Sequence, residues 1–378
     1  MNYILPTFAQ QKYCHKKMKG KISPLGFFIL LCIAGSCTKS EPSQQQISPP
    51  ILSGEIPDSI GSRTDTIAYI NKSPNASEIL NFKNYRNNTE NIHPKVLYFE
   101  KGWKGYKFWM AYTPYPNGES EIENPCIAVS NDGINWTLPN GFNANPLDLA
   151  FENGYNSDTH LVYREDLDII ECWYRPYKYK ERKAGLYRRT SRDGINWTTR
   201  ETMIDFDGIQ MLSPAINFEN GKYKIWYCYD GQVRYVESKD SSGKSWPKDF
   251  QVVEFNWSKY HAWHMDVIKT DMGYEMIVCA WDKTIPGTNN NTADLFYCAT
   301  DLNNKVIRNP VPIIKRSSDK QAFDFRSIYR ASFIKIYGKY YVYYSAIANN
   351  WARSMALSFG SNIEDLHGYA AKKVKKDN

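Results

Sequence analysis

The chain has 378 residues, 42% of them apolar and 23% charged, which is enough apolar material for one large folded domain and too much for a disordered polymer. Its formal net charge of +7 is mostly a feature of the N-terminus: the first 36 residues hold five lysines and no acid, so the remainder carries roughly +2. With that balance, and with Lys372, Lys373, Lys375 and Lys376 as the only concentrated basic run left, a nucleic-acid partner is excluded and the run reads as a solvated tail.

At the N-terminus, Lys16, Lys17, Lys19 and Lys21 precede an apolar run over residues 27–34, followed by small residues and Cys37. The run is too short to span a bilayer, and the order basic, apolar, small is that of a secretory signal, with Met18 as a candidate start. Ala34-Gly35-Ser36-Cys37 is similar to a bacterial lipobox, in which the cysteine is acylated after cleavage. The expectation is a signal over 1–36, acylated Cys37 and export to a bacterial membrane held through that lipid. Residues 37–63, rich in Ser, Gln and Pro, then form a flexible tether. A folded domain over 64–368 and a basic tail over 369–378 complete the division.

Within the domain, short β-branched or aromatic runs bounded by turn residues predict strands near 95–100, 106–113, 126–130, 161–164, 169–175, 223–229, 274–280 and 340–346. Helical periodicity is almost absent. Cys126, Cys172, Cys228, Cys279 and Cys298 have no metal-like spacing and sit in apolar runs, so they read as small buried hydrophobes.

Two repeats set the architecture. Ser130-Asn131-Asp132-Gly133-Ile134-Asn135-Trp136 recurs as Ser191-Arg192-Asp193-Gly194-Ile195-Asn196-Trp197, and more loosely from Ser238 to Trp246. Asp-Gly supplies the positive φ of a tight hairpin, and the Trp is expected to pack the outer strand onto its own blade. The second repeat is a polar cluster ahead of each apolar strand: Asn91-Ile92-His93-Pro94, Ser157-Asp158-Thr159-His160, Leu212-Ser213-Pro214, Trp263-His264-Met265-Asp266 and Tyr329-Arg330-Ala331-Ser332. Five units of this length predict an all-β, five-bladed β-propeller whose polar clusters converge on one end of the central channel. Residues near 66–70 are placed to complete the last blade.

On these clusters and hairpins, residues 90–350 resemble the five-bladed propeller glycosidases of the arabinanase, levansucrase and invertase superfamily, glycoside hydrolase family 43-like, of the kind found as Bacteroidetes-type lipoproteins. The resemblance implies three carboxylates at the first three inner strands. Asp158 matches the second. His93-Pro94 stands where the pattern has Asp-Pro, and Ser213-Pro214 where it has Glu, a small residue and Pro, so two of the three acids are replaced.

Glycoside hydrolysis needs one carboxyl to protonate the leaving oxygen and another, ionised, to activate water or attack. Asp158 is the candidate base or nucleophile, with Glu123 or Asp266 as the acid. Asp158 with His160, and His264 with Asp266, are each two residues apart and would face one way along a strand; with His93 they form an alternative five-donor set for a channel metal such as calcium. Otherwise no cofactor is expected, and the histidines orient carboxylates or sugar hydroxyls. Arg175 and Arg330 are fork donors for an acidic sugar, Arg175 equally an ion-pair partner at a blade edge. Trp103, Trp109, Trp263 and Trp351 are candidate stacking faces, Trp263 being taken into the site. The expected function is a monomeric glycosidase acting on a polysaccharide or oligosaccharide, arabinofuranose-containing ones among the candidates, with a non-catalytic glycan-binding protein or a metal-dependent enzyme on the same channel as alternatives.

Overall fold

The computed structural model describes residues 69–70, 73–207 and 211–371. The signal, Cys37 and the tether therefore lie outside the described residues, as do the four tail lysines. Among the described residues no helix is long and apolar enough to cross a membrane.

Five antiparallel sheets form the five blades of a β-propeller. Blade I comprises Asn91–Trp103, Tyr106–Pro114 and Cys126–Ser130; blade II comprises Gly154–Arg164, Ile169–Lys178, Lys183–Ser191 and Glu201–Asp207. Blade III is built from Leu212–Glu219, Lys222–Tyr229, Gln232–Glu237 and Gln251–Val252, and blade IV from Tyr260–Thr270, Gly273–Asp282, Asp294–Thr300 and Val306–Ile314. Blade V contains Ser327–Ile336, Lys339–Ile347, Arg353–Asn362 and Asp365–Ala370. The short strand Tyr69–Ile70 adds to its outer edge, Tyr69 opposite Ala370 and Ile70 opposite Tyr369, so the N-terminal segment completes the last blade as the sequence predicted. The last strand reaches Ala370, two residues beyond the predicted domain end.

Each sheet exposes two faces of alternating side chains, and the five buried apolar clusters are the five layers between neighbouring blades. The five cysteines are free and buried, as expected of small hydrophobes. The repeated hairpins behave differently from expectation in one respect. Asp132 and Asp193 each collect two main-chain amides on Oδ1, which fixes the turns, and Gly133 and Gly194 take φ of 74° and 75°. But Trp136 stacks edge-on against Tyr343 of blade V as well as Phe108 of its own blade, and Trp197 joins the layer shared with blade I. The tryptophans therefore fasten neighbouring blades together, because the face they cover is the inter-blade layer.

Gly194 carries the tightest version of this contact. A Cβ there would lie 2.0 Å from the ring of Trp109, which is fully buried in blade I, and the φ already disfavours a side chain. Gly194→Ala is expected to cost about 2–4 kcal/mol, seen as a fall of several degrees in the thermal midpoint by calorimetry, while Gly221→Ala, with the same φ and open space, costs about 1 kcal/mol.

Candidate active site

All five innermost strands are irregular at the same level. Their pairing with the second strand slips between Ile92 and Lys95, Ser157 and His160, Ala262 and His264, and Ile328 and Ala331, and in blade III opposite the step from Trp226 to Cys228. Each slip is a β-bulge that re-aims the side chains beside it. In blades I to III the bulge also puts a non-glycine residue at positive φ: His93 at 56°, Asp158 at 52° and Ser213 at 51°. Such conformations cost of order 1–3 kcal/mol each and collect at functional positions.

The bulges bring His93, Asp158 and His264, from blades I, II and IV, to one point. One atom of each lies within 4.8 Å of the other two, the only such group of three among the described residues. Asp158 is fully buried. Its Oδ2 accepts from Arg175 Nε at 2.6 Å and from the Ser157 hydroxyl at 3.3 Å. Its Oδ1 has no hydrogen-bond partner and faces His93 Nε2 at 3.5 Å, His264 Nδ1 at 3.4 Å and Arg330 Nη1 at 3.7 Å. His93 Nδ1 is engaged at 2.9 Å by Thr113 Oγ1, which turns Nε2 to the centre.

Burial pushes both imidazoles below their ordinary value, His93 strongly, outweighing the attraction of Asp158. Burial also pushes Asp158 upward, but Arg175 with His93 and His264 holds it well below the usual carboxylate range. Two neutral imidazole nitrogens and one ionised carboxylate oxygen thus confront each other, and His93 Nε2, His264 Nδ1 and Asp158 Oδ1 all lack partners. Buried polar atoms without partners are costly, and a cation taking the place of the imidazole N–H protons there would satisfy all three. Two histidines and a carboxylate with remaining positions open form a catalytic type of donor set for a divalent transition ion, and spacings near 3.5 Å suit ligand bonds of about 2.1 Å.

A cavity of about 370 Å³ opens over this group. Glu123, placed by the short turns Pro116–Gly118 and Ser120–Ile122, lines it beside Tyr115, Tyr155 and Tyr179, with Trp263 and Tyr329 also in the wall. Burial, then the nearby charge of Asp158, pushes the Glu123 carboxyl well above the ordinary range. Tyr115 is pushed up to about 12 by burial, so its phenol remains a proton-bearing donor at neutral pH. One cavity therefore holds a carboxyl shifted upward and another shifted downward, the separation that divides acid and base roles.

Of the remaining predicted residues, Asp266, His160 and Arg330 lie one layer deeper. Asp266 accepts from Lys95 Nζ at 2.7 and 3.0 Å and from the Phe333 amide at 3.1 Å; it is a buried partner of Lys95 and does not line the cavity. His160 rests Nε2 against the main chain of Ile216 at 3.0 Å, with Nδ1 4.0 Å from Asp266. The five-donor set is thereby corrected to three. The bulge between Ser157 and His160 breaks alternation around Asp158, and Asp266, two residues beyond His264, falls about 7 Å down the channel. Arg330 is fully buried beneath Asp158 and outside the cavity wall, and Arg175 is drawn inward to clamp Asp158 instead of standing at a blade edge. Of the tryptophans, Trp103 and Trp109 are core, Trp263 lines the cavity, and Trp351 is exposed on the turn preceding Arg353.

Sequence reasoning missed Tyr115, Tyr155, Tyr179, Tyr329 and Lys95. Tyr329 was visible inside the fifth polar cluster, where the bulge turns it, and not Arg330, into the cavity. The other tyrosines had no distinguishing signal among 28.

No family model matches the chain. A curated relative, the A type blood N-acetyl-alpha-D-galactosamine deacetylase of Flavonifractor plautii, is 27% identical over 223 residues, which cover 46% of this chain and 29% of that protein. The crystal structure of an N-acetylgalactosamine deacetylase from F. plautii, in complex with blood group B trisaccharide, superposes with a TM-score of 0.65 at 20% identity over 79% of this chain and 95% of that one. A thermostable family-43 glycoside hydrolase gives 0.56 at 13% identity over 82% and 97%, and an exo-1,5-alpha-L-arabinanase from a bovine ruminal metagenomic library gives 0.53 at 12% over 75% and 98%. The chain is a five-bladed β-propeller of the architecture shared by family-43 glycoside hydrolases and by that deacetylase structure.

Proposed function

We propose that this protein is a metal-dependent hydrolase that removes the acetyl group from an N-acetylated amino sugar of a glycan, with His93, Asp158 and His264 holding a divalent ion. The observation that carries this reading is the meeting of two neutral imidazoles and an ionised carboxylate oxygen, all partnerless, beneath a glycan-sized cavity. The likeness to a deacetylase supports the choice of bond.

When bound, the ion supplies Lewis acidity to a carbonyl oxygen and acidity to a coordinated water. The chain's own groups do the rest. His93 would bind through Nε2, its ring fixed at Nδ1 by Thr113 Oγ1 at 2.9 Å and by the Asp158 amide at 3.4 Å, and Arg175 keeps Asp158 ionised and fixed in direction. Glu123 takes the proton from the attacking water and returns it to the departing amine nitrogen, a role its upward-shifted carboxyl suits. The Tyr115 phenol is a donor for the developing oxyanion, while Trp263 and Tyr329 form apolar walls for the sugar ring and acetyl methyl.

A second reading, glycoside hydrolysis with Glu123 as acid and Asp158 as base, is favoured by the opposed shifts of those carboxyls. Against it stands Asp158 itself, enclosed by Arg175 and both histidines. The test is incubation of the full chain with N-acetylated oligosaccharides with and without chelator. Acetate release, abolished by chelator and restored by a divalent ion, is expected; new reducing ends indifferent to chelator would favour the second reading.

A further inference from the structure

Blades III and IV enclose a second cavity of about 510 Å³ at the same end of the propeller as the central one. Its floor is set by the tight turn Asp230-Gly231, both at positive φ, whose Gly231 carbonyl accepts from the Ala262 amide at 3.0 Å. Because Gly231 has no Cβ, the ring of His261 stands directly against this turn; a Cβ would lie 2.6 Å from Nδ1.

The two cavities are joined by a row of rings on blade IV. Trp263 lines the central cavity and meets Trp281 edge-to-face at 6.1 Å; Trp281 in turn stacks on His261 at 4.3 Å and 21°, and His261 lines the second cavity. Trp263, Trp281 and His261 are all partly exposed. Around the outer end stand the exposed side chains of Asp230, Gln232, Glu254, Asn256 and Lys283. Aromatic faces ringed by donors and acceptors of both signs match a neutral, hydroxyl-rich ligand better than an ion or an apolar chain.

We infer that this groove is a carbohydrate subsite that receives the part of the glycan chain distal to the sugar reacting in the central cavity, an inference that rests on the amino-sugar reading of that cavity. The substrate class it implies is an oligosaccharide, in which sugars beyond the first travel along the Trp263, Trp281 and His261 row. Binding energy gathered there selects chain length and leaves the chemistry to the central cavity.

The experiment compares kcat/KM for acetate release by the metal-loaded full chain from methyl N-acetylgalactosaminide and from N-acetylgalactosamine-terminated and N-acetylchitooligosaccharide tetrasaccharides. The wild type is expected to prefer at least one tetrasaccharide by about tenfold or more, and His261→Ala to reduce that preference about tenfold. Lys283→Ala, on an exposed side chain with no packing role, moves the preference the same way. A preference that is absent in the wild type, or unchanged in both variants, overturns the inference. If the wild type releases no acetate from any probe, the deacetylase reading fails and the groove is judged by calorimetry with the same tetrasaccharides. Binding weakened about tenfold by His261→Ala sustains the subsite; no binding, or binding indifferent to His261, overturns it.

Discussion

Asp158→Asn is expected to abolish turnover, by about three orders of magnitude or more, together with divalent-ion binding. Asparagine keeps the shape of the side chain, but it removes the negative charge that Arg175, Arg330, His93 and His264 share. Arg175 loses its 2.6 Å ion pair, and Arg330 loses the carboxylate 3.7 Å away. Leaving buried guanidinium groups uncompensated costs about 3–5 kcal/mol, so the variant should also melt at a lower temperature. His264→Gln separates the two effects, because both nitrogens of His264 are without hydrogen bonds and no charge is orphaned by the change. It should lose the metal and the activity while melting near the wild type. The check is metal content after dialysis, the rate of acetate release and calorimetry on the same three samples; full metal retention in His264→Gln would contradict the assignment of that residue as a ligand.

Glu123→Gln is expected to lower kcat by about 10²–10⁴ with metal content and fold intact. The direction of its pH dependence follows from the shift. Burial raises the carboxyl of Glu123, and a general base must be ionised, so wild-type activity is lost as pH falls through the raised value. The variant should show neither that acid limb nor the turnover it governs. The stability consequence has the opposite sense. Between the unfolded carboxyl value and the raised folded one, the folded protein binds the extra proton, so stability declines as pH rises through that window. Gln carries no such penalty. The variant should therefore gain in melting temperature over the wild type at neutral pH and lose that gain near pH 4, which thermal scans at the two pH values would reveal. Equal melting curves at both would mean that Glu123 is not held in an unfavourable ionised state.

The architecture was legible because propeller blades repeat. The paired Ser-x-Asp-Gly-x-x-Trp segments mark the turns that follow the third strands of blades I and II, whose Asp side chains cap the turn amides through local contacts that depend on residues two and three apart. The polar clusters were equally readable as inner-strand starts. The division of labour within each cluster was not readable, because it is decided by where the β-bulge falls. Regular alternation pairs Asp158 with His160, whereas the bulge after Ser157 sends the first into the cavity and the second toward Ile216. The same displacement exchanges Arg330 for Tyr329 in the cavity wall. Asp266 was misleading for a different reason. Its partner Lys95 lies 171 positions away in the first blade, so nothing local announces that the carboxylate is already neutralised. The replacement of two expected acids by His93 and Ser213 was plain in the sequence. That His93 converges with His264 on Asp158 required the closed ring.

The most direct measurement is mass spectrometry of an N-acetylated tetrasaccharide after incubation with the metal-loaded protein. A product that keeps all its sugars and has lost one acetyl group, formed only while the ion is present, is the result the three converging donors predict. A shortened glycan with every acetyl group retained, formed equally in chelator, would contradict it.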